Sequence, residues 1–176
     1  MTLVLVIAVL VVVLLAAVRV RARWTLVDAR RAADRDWATI DELLARRHDL
    51  VPSLVSTVKG YTGAEDEALE RLVAARAAAR AASGPAARGA AETALGDALA
   101  PVTGAGARHP QLGAAPAFVR LVDELTGLED ELQAARRRYN GSVLTYAART
   151  RALPGRLVGA RGFPPREPFP LEPPAG

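Results

Sequence analysis

The chain has no cysteine, only two histidines, and a single lysine, Lys59, among its 23 basic residues. Without cysteine there are no disulfides, no thiolate nucleophile and no Cys-based metal site. The histidines, His48 and His109, lie far apart in sequence, and no His-Glu-x-x-His or Cys/His spacing accompanies them. The sequence therefore offers no catalytic constellation, no metal set and no cofactor motif. Aromatics make up only 5% of the chain while apolar residues make up 51%. A core of Ala, Leu and Val is implied, which suits closely packed helices better than aromatic-rich strands.

The net charge is +4 and the isoelectric point about 10.3. Such a balance permits contact with nucleic acid or anionic lipid. No basic patch interleaved with aromatics and no known binding module is visible, so nucleic acid is not an expected partner. With 176 residues there is room for one domain and an anchor.

That anchor is Leu3–Val18, LVLVIAVLVVVLLAAV, in which thirteen of sixteen residues are Leu, Val or Ile. Each contributes roughly −0.3 to −0.6 kcal/mol to insertion at a bilayer centre. Thr2 and the stems of Arg19 and Arg21 extend the span toward the ~20 residues a bilayer requires. Trp24 falls where an interfacial aromatic belongs. The rival reading is a cleaved signal peptide, but no charged side chain precedes Leu3 and Ala16-Ala17 is a poor cleavage site. Arg19, Arg21, Arg23, Arg30, Arg31 and Arg35 all follow the span. By the positive-inside rule the N-terminus is expected outside and the following domain in the cytoplasm.

Beyond the anchor, Trp37, Ile40, Leu44, Val51, Leu54, Val58 and Tyr61 recur at helical spacing, with Arg47 breaking the stripe. The stripe keeps its phase across Pro52, which predicts a kinked but continuous helix ending at Gly60 and Gly63. A second helix is predicted from Ala64 to Ala82, with Glu65, Asp66 and Glu67 in its first turn. A weaker one runs through Ala86–Ala105, and a loop through Gly104–Gly113. The strongest pattern is Ala115–Ala152, whose stripe is Phe118, Leu121, Leu125, Leu128, Leu132, Ala135, Tyr139 and Tyr146, stopped by Pro154 and Gly155. The fold class expected is all-α: an anchor over residues 1–24, an antiparallel, coiled-coil-like four-helix bundle over 25–154, and a Pro/Gly-rich tail over 155–176. Alternating helix directions would bring Arg156, Arg161, Phe163, Arg166 and Phe169 near the lipid headgroups.

The segment Arg46–Tyr61, RRHDLVPSLVSTVKGY, resembles the LemA family of bacterial membrane proteins. Trp37, Glu65, a Val-Ala-Ala-Arg segment ending at Arg76, Asp123–Leu125, ARRRYN at Ala135–Asn140, then Val143 and Tyr146 follow in the family's order. The closing GFPPREPF, Gly162–Phe169, is similar to the family's Phe/Pro signature. The chain departs from the pattern at Tyr146-Ala147 and Leu153-Pro154. The resemblance implies a helical bundle with one N-terminal anchor, a link to the cell envelope and no established catalysis.

Residues with an interaction or structural motif role are expected to be Arg47, Asp49, Pro52, Lys59, Tyr61, Arg138, Tyr139, Asn140, Tyr146, Phe163 and Phe169. The arginine runs at 46–47 and 136–138 read as solvated helix faces, and the three tyrosines as seam residues with hydroxyls at the rim. Asn140 reads as the cap of a buried polar contact, and His48 and His109 as surface or capping residues. Glu129, Asp130 and Glu131 form an acidic patch without acid–base chemistry. Three functions compete: a membrane-anchored scaffold or adaptor with a protein partner, a protein that binds lipid headgroups, and, remotely, a hydrolase in which a histidine finds carboxylate or hydroxyl neighbours in a cleft.

Overall fold

The computed structural model describes residues 1–62, 67–152 and 162–170. The expectations placed on Gly63, Glu65, Asp66, Pro154, Gly155, Arg156 and Arg161 lie outside the described residues. Six helices account for most of the rest: α1 Thr2–Thr62, α2 Glu67–Ala81, α3 Pro85–Thr103, α4 Ala105–Arg108, α5 Pro110–Gly113 and α6 Pro116–Arg151. No strand occurs among the described residues. The described residues are overwhelmingly helical, beginning with an apolar N-terminal helix.

Helix α1 shows no break between the anchor and the first stripe, and it carries Pro52 inside it. Its start is the one stretch among the described residues long and apolar enough to cross a membrane, and none of that window is buried. The earliest buried side chain along the chain is Ala22. Residues 104–113, expected as a loop, form two single turns of helix, α4 and α5, separated by His109. Pro110 sits at the first position of α5, where its missing N–H costs nothing. Between α2 and α3 the chain turns at Gly84, whose φ of 82° favours glycine.

The structure divides into two compact units, Met1–Trp37 with Arg138–Glu167, and Ala38–Arg137 with Pro168–Gly176. In the first unit Leu26, Ala29, Tyr146 and Phe163 form a small apolar cluster backed by Val27. Arg149 donates to the Thr25 carbonyl at 3.1 Å. In the second unit, Val51, Leu54 and Val58 of α1 meet Leu69 and Leu72 of α2, Leu95 and Leu99 of α3, and Phe118 and Leu125 of α6. Each fully buried leucine there contributes about 1.5–3 kcal/mol relative to exposure.

Candidate functional site

Two places concentrate polar chemistry, one in each unit. In the second unit the α1 stripe is interrupted by Arg47 and the α3 stripe, Leu95, Leu99 and Val102, is continued upstream by Glu92. Burial of either charge alone would be prohibitive, and the fold brings them together. Glu92 is 1% exposed; its Oε2 accepts from Arg47 Nη1 at 3.1 Å and its Oε1 lies 2.6 Å from His48 Nε2. Arg47 also pairs with Glu129 at 3.3 Å, and Glu129 lies 4.0 Å from the buried Arg136. The Arg136 guanidinium stacks over the Phe169 ring, 4.9 Å from its centroid.

His48 and Glu92 form one wall of a cavity of about 350 Å³, lined also by Asp41, Leu44, Ala45, Asp49, Ala79, Arg80 and Arg88. Ion pairs Arg88–Asp41 and Arg80–Asp49 stand beside it. Among the described residues no hydroxyl or thiol lines it, so the wall carries a histidine–carboxylate pair without a Ser, Thr, Tyr or Cys nucleophile. No group of three or more His, Asp or Glu able to hold a metal occurs among the described residues.

A third feature explains how Pro52 is tolerated. Proline cannot donate to the carbonyl four residues earlier, that of His48. Arg76 of α2 supplies the missing donor instead, with Nε 2.6 Å from the His48 oxygen.

In the first unit, the segment 162–167, a strap whose residues 164–167 belong to no helix, lies along α1 and α6. Tyr146 donates its hydroxyl to the Pro164 carbonyl at 3.0 Å, and Tyr139 donates to Glu167 at 2.8 Å. Arg30 reaches the Gly162 carbonyl at 3.4 Å, Arg166 pairs with Asp34, and Phe163 is buried. The Tyr139 ring packs on Trp37 with centroids 5.2 Å apart.

Burial pushes both phenols above their ordinary value near 10, against the pull of Arg166 on Tyr139 and of Arg30 and Arg166 on Tyr146. A raised folded-state value means the unfolded chain loses its phenolic protons sooner as pH rises. The stabilisation is therefore complete below about pH 10 and is lost as pH climbs through the folded values. Ultraviolet titration of a Tyr61→Phe chain should show tyrosinate appearing late and together with release of the strap. Adding Tyr146→Phe should remove one late-titrating phenol and cost about 0.5–1.5 kcal/mol.

Several expectations need correction. Arg47 and Arg136 are buried, not solvated: Arg47 meets the equally buried Glu92, and Arg136 lies under the Phe169 ring with the part-exposed Glu129 at 4.0 Å; Arg46, Arg137 and Arg138 are exposed as expected. His48 is buried against Glu92, whereas His109 is exposed. Tyr139 and Tyr146 do lie on the seam, with their hydroxyls bonded to the strap, while Tyr61 is exposed. Phe163 and Phe169 are buried against the chain's own helices. Asp49, Pro52 and Lys59 are exposed and Asn140 is half-buried. The sequence reading missed Glu92, though its position in phase with Leu95 and Leu99 was the available signal.

Comparison with protein families places residues 36–175 in a match to the LemA family. No curated protein matches the chain.

Proposed function

The chain belongs to the LemA family, and from that premise we propose that it is a membrane-anchored, non-enzymatic helical scaffold or adaptor of the bacterial cell envelope. One observation carries the reading: every side chain from Met1 to Arg21 is exposed, and this bare apolar helix runs on into the packed part of α1. A stretch of that hydropathy left uncovered by its own chain is best satisfied by lipid. The arginines after it orient the N-terminus outward and the helices toward the cytoplasm.

Within this reading residues 25–154 form an antiparallel, coiled-coil-like four-helix bundle and 155–176 its tail. Support comes from the shared core of α1, α2, α3 and α6 and from the pairings Thr25–Arg149 and Asp36–Ser142, whose numbers run in opposite directions. The bundle presents helix surface to a protein partner at the membrane. The polar cluster in its interior serves register, each buried charge having a matched neighbour.

After alkaline extraction the full chain should stay with the membrane pellet, and a chain lacking residues 1–21 should move to the supernatant. Recovery of the intact chain in the aqueous fraction would overturn anchoring. For the adaptor role, affinity capture after gentle detergent extraction should recover a protein absent from a transmembrane-only control; no such protein would count against it.

Two other readings have support. Arg19, Arg21, Arg23, Arg31, Arg149 and Arg151 are exposed in the anchor-bearing unit, which fits contact with anionic headgroups at ~1 kcal/mol for each basic residue near the surface. Vesicle binding that ignores anionic lipid at low salt would remove it. The hydrolase reading keeps one observation, His48 beside Glu92 at a cavity wall. Hydrolysis surviving in a His48→Ala chain would dissociate any activity from that pair.

A further inference from the structure

The strap contacts in the first unit have the chemistry of peptide recognition. Two tyrosine hydroxyls and one guanidinium donate to three main-chain carbonyls, those of Pro164, Glu167 and Gly162. Phe163 enters a pocket of Leu26, Ala29 and Tyr146, and Asp34 receives Arg166. Carbonyl donors give affinity without regard to side chains; the phenylalanine pocket and the carboxylate select for sequence. Pro164 and Pro165 hold the segment out of a helix, so little chain entropy is lost when it docks. Every one of these contacts is made by side chains of α1 or α6 to a segment that follows α6 in sequence. None depends on strap and site belonging to one copy.

We propose that the site formed by Leu26, Arg30, Asp34, Tyr139 and Tyr146 also takes the Gly162–Glu167 segment of a second copy of this chain, so that neighbouring copies exchange straps. Three observations select that occupant. The segment is the ligand the site already holds, with both its apolar and its charged anchors matched. The same unit contains the apolar span, so in a bilayer every copy holds site and strap at one depth, which raises the effective concentration of each for the other. Exchange of an identical segment needs no new complementary surface.

This inference rests on the anchoring reading. Recovery of both copies in the membrane pellet, checked beforehand, separates failure of anchoring from failure of exchange. The chain has no cysteine, so introduced thiols report without background. Two full-length copies with different tags, one Asp34→Cys and the other Arg166→Cys, are co-produced in one membrane and treated with a short bismaleimide. Reciprocal exchange leaves one Asp34–Arg166 pair intact in the mixed dimer.

The expected result is a doubly tagged product several-fold above that formed when the Arg166→Cys copy also carries Phe163→Ala. Excess peptide of sequence GFPPRE should lower it, and a scrambled peptide should not. A doubly tagged product no greater than the Phe163→Ala control, while an Asp34→Cys/Arg166→Cys chain links within itself, would overturn the proposal. Failure of that double variant to link internally would remove the strap contact and the proposal with it.

Discussion

Replacing Glu92 by alanine is expected to cost about 3–5 kcal/mol, a large share of the roughly 5–15 kcal/mol that holds a domain together. The size follows from what is left behind. Arg47 and His48, each 7% exposed, lose the carboxylate that both contact. Arg47 keeps Glu129, but that carboxylate is about a third exposed and cannot replace a partner inside the core. Glu92→Gln retains the shape and an accepting oxygen, and should cost visibly less. Denaturant unfolding of the detergent-solubilised chain, followed by helical circular dichroism, measures both. Equal and small losses for the two variants would show that the cluster is wetter and weaker than its burial indicates.

The second large effect concerns Arg76. Its Nε is the donor to the carbonyl that Pro52 leaves free, a charge-assisted bond that contributes about 1.5–3 kcal/mol. Arg76→Ala should lose that much. Pro52→Ala restores a backbone N–H to His48, so in that background the same Arg76→Ala change should cost under about 1 kcal/mol. The double-mutant cycle is the measurement, and a purely additive outcome would separate the arginine from the proline. This coupling gives a physical reason for two distant pieces of the family resemblance, the Arg46–Tyr61 segment and the arginine at 76, to occur in one chain.

Much of the helical architecture was legible in the sequence because the stripes are regular. Phe118 through Tyr146 place α6 to within a residue or so of its ends, and Pro52 was readable as interior because the phase persists across it. The helix between the anchor and Trp37 was less visible. Its inward positions include Ala29 and Ala33, too small to stand out against an alanine-rich background, yet buried all the same. The two single turns at 104–113 were hidden by Gly104, Gly106, Pro110 and Gly113, which signal a break without fixing its geometry.

The polar interior was half legible. Arg47 stood out as the residue that breaks a stripe, but its meaning depends on Glu92, which lies on another helix. Pairing across helices has no signature in either stretch alone. The same holds for Arg136: three consecutive arginines present three different faces of α6, and only one of those faces points inward. The strap was readable as non-helical from its prolines, whereas its destination was set by two tyrosine hydroxyls that no spacing rule connects to it.

Gly89 shows what a late-arriving partner means for assembly. A methyl group built on its Cα would stand 2.6 Å from the Pro170 ring, so the proline seats directly on bare backbone of α3. Synthesis proceeds from the N-terminus, and α3 is complete long before Pro170 or Phe169 exists. Until they arrive, the Gly89 backbone and the Arg136 guanidinium have no lid from that side. A chain truncated before residue 168 therefore exposes a surface that the full-length protein hides.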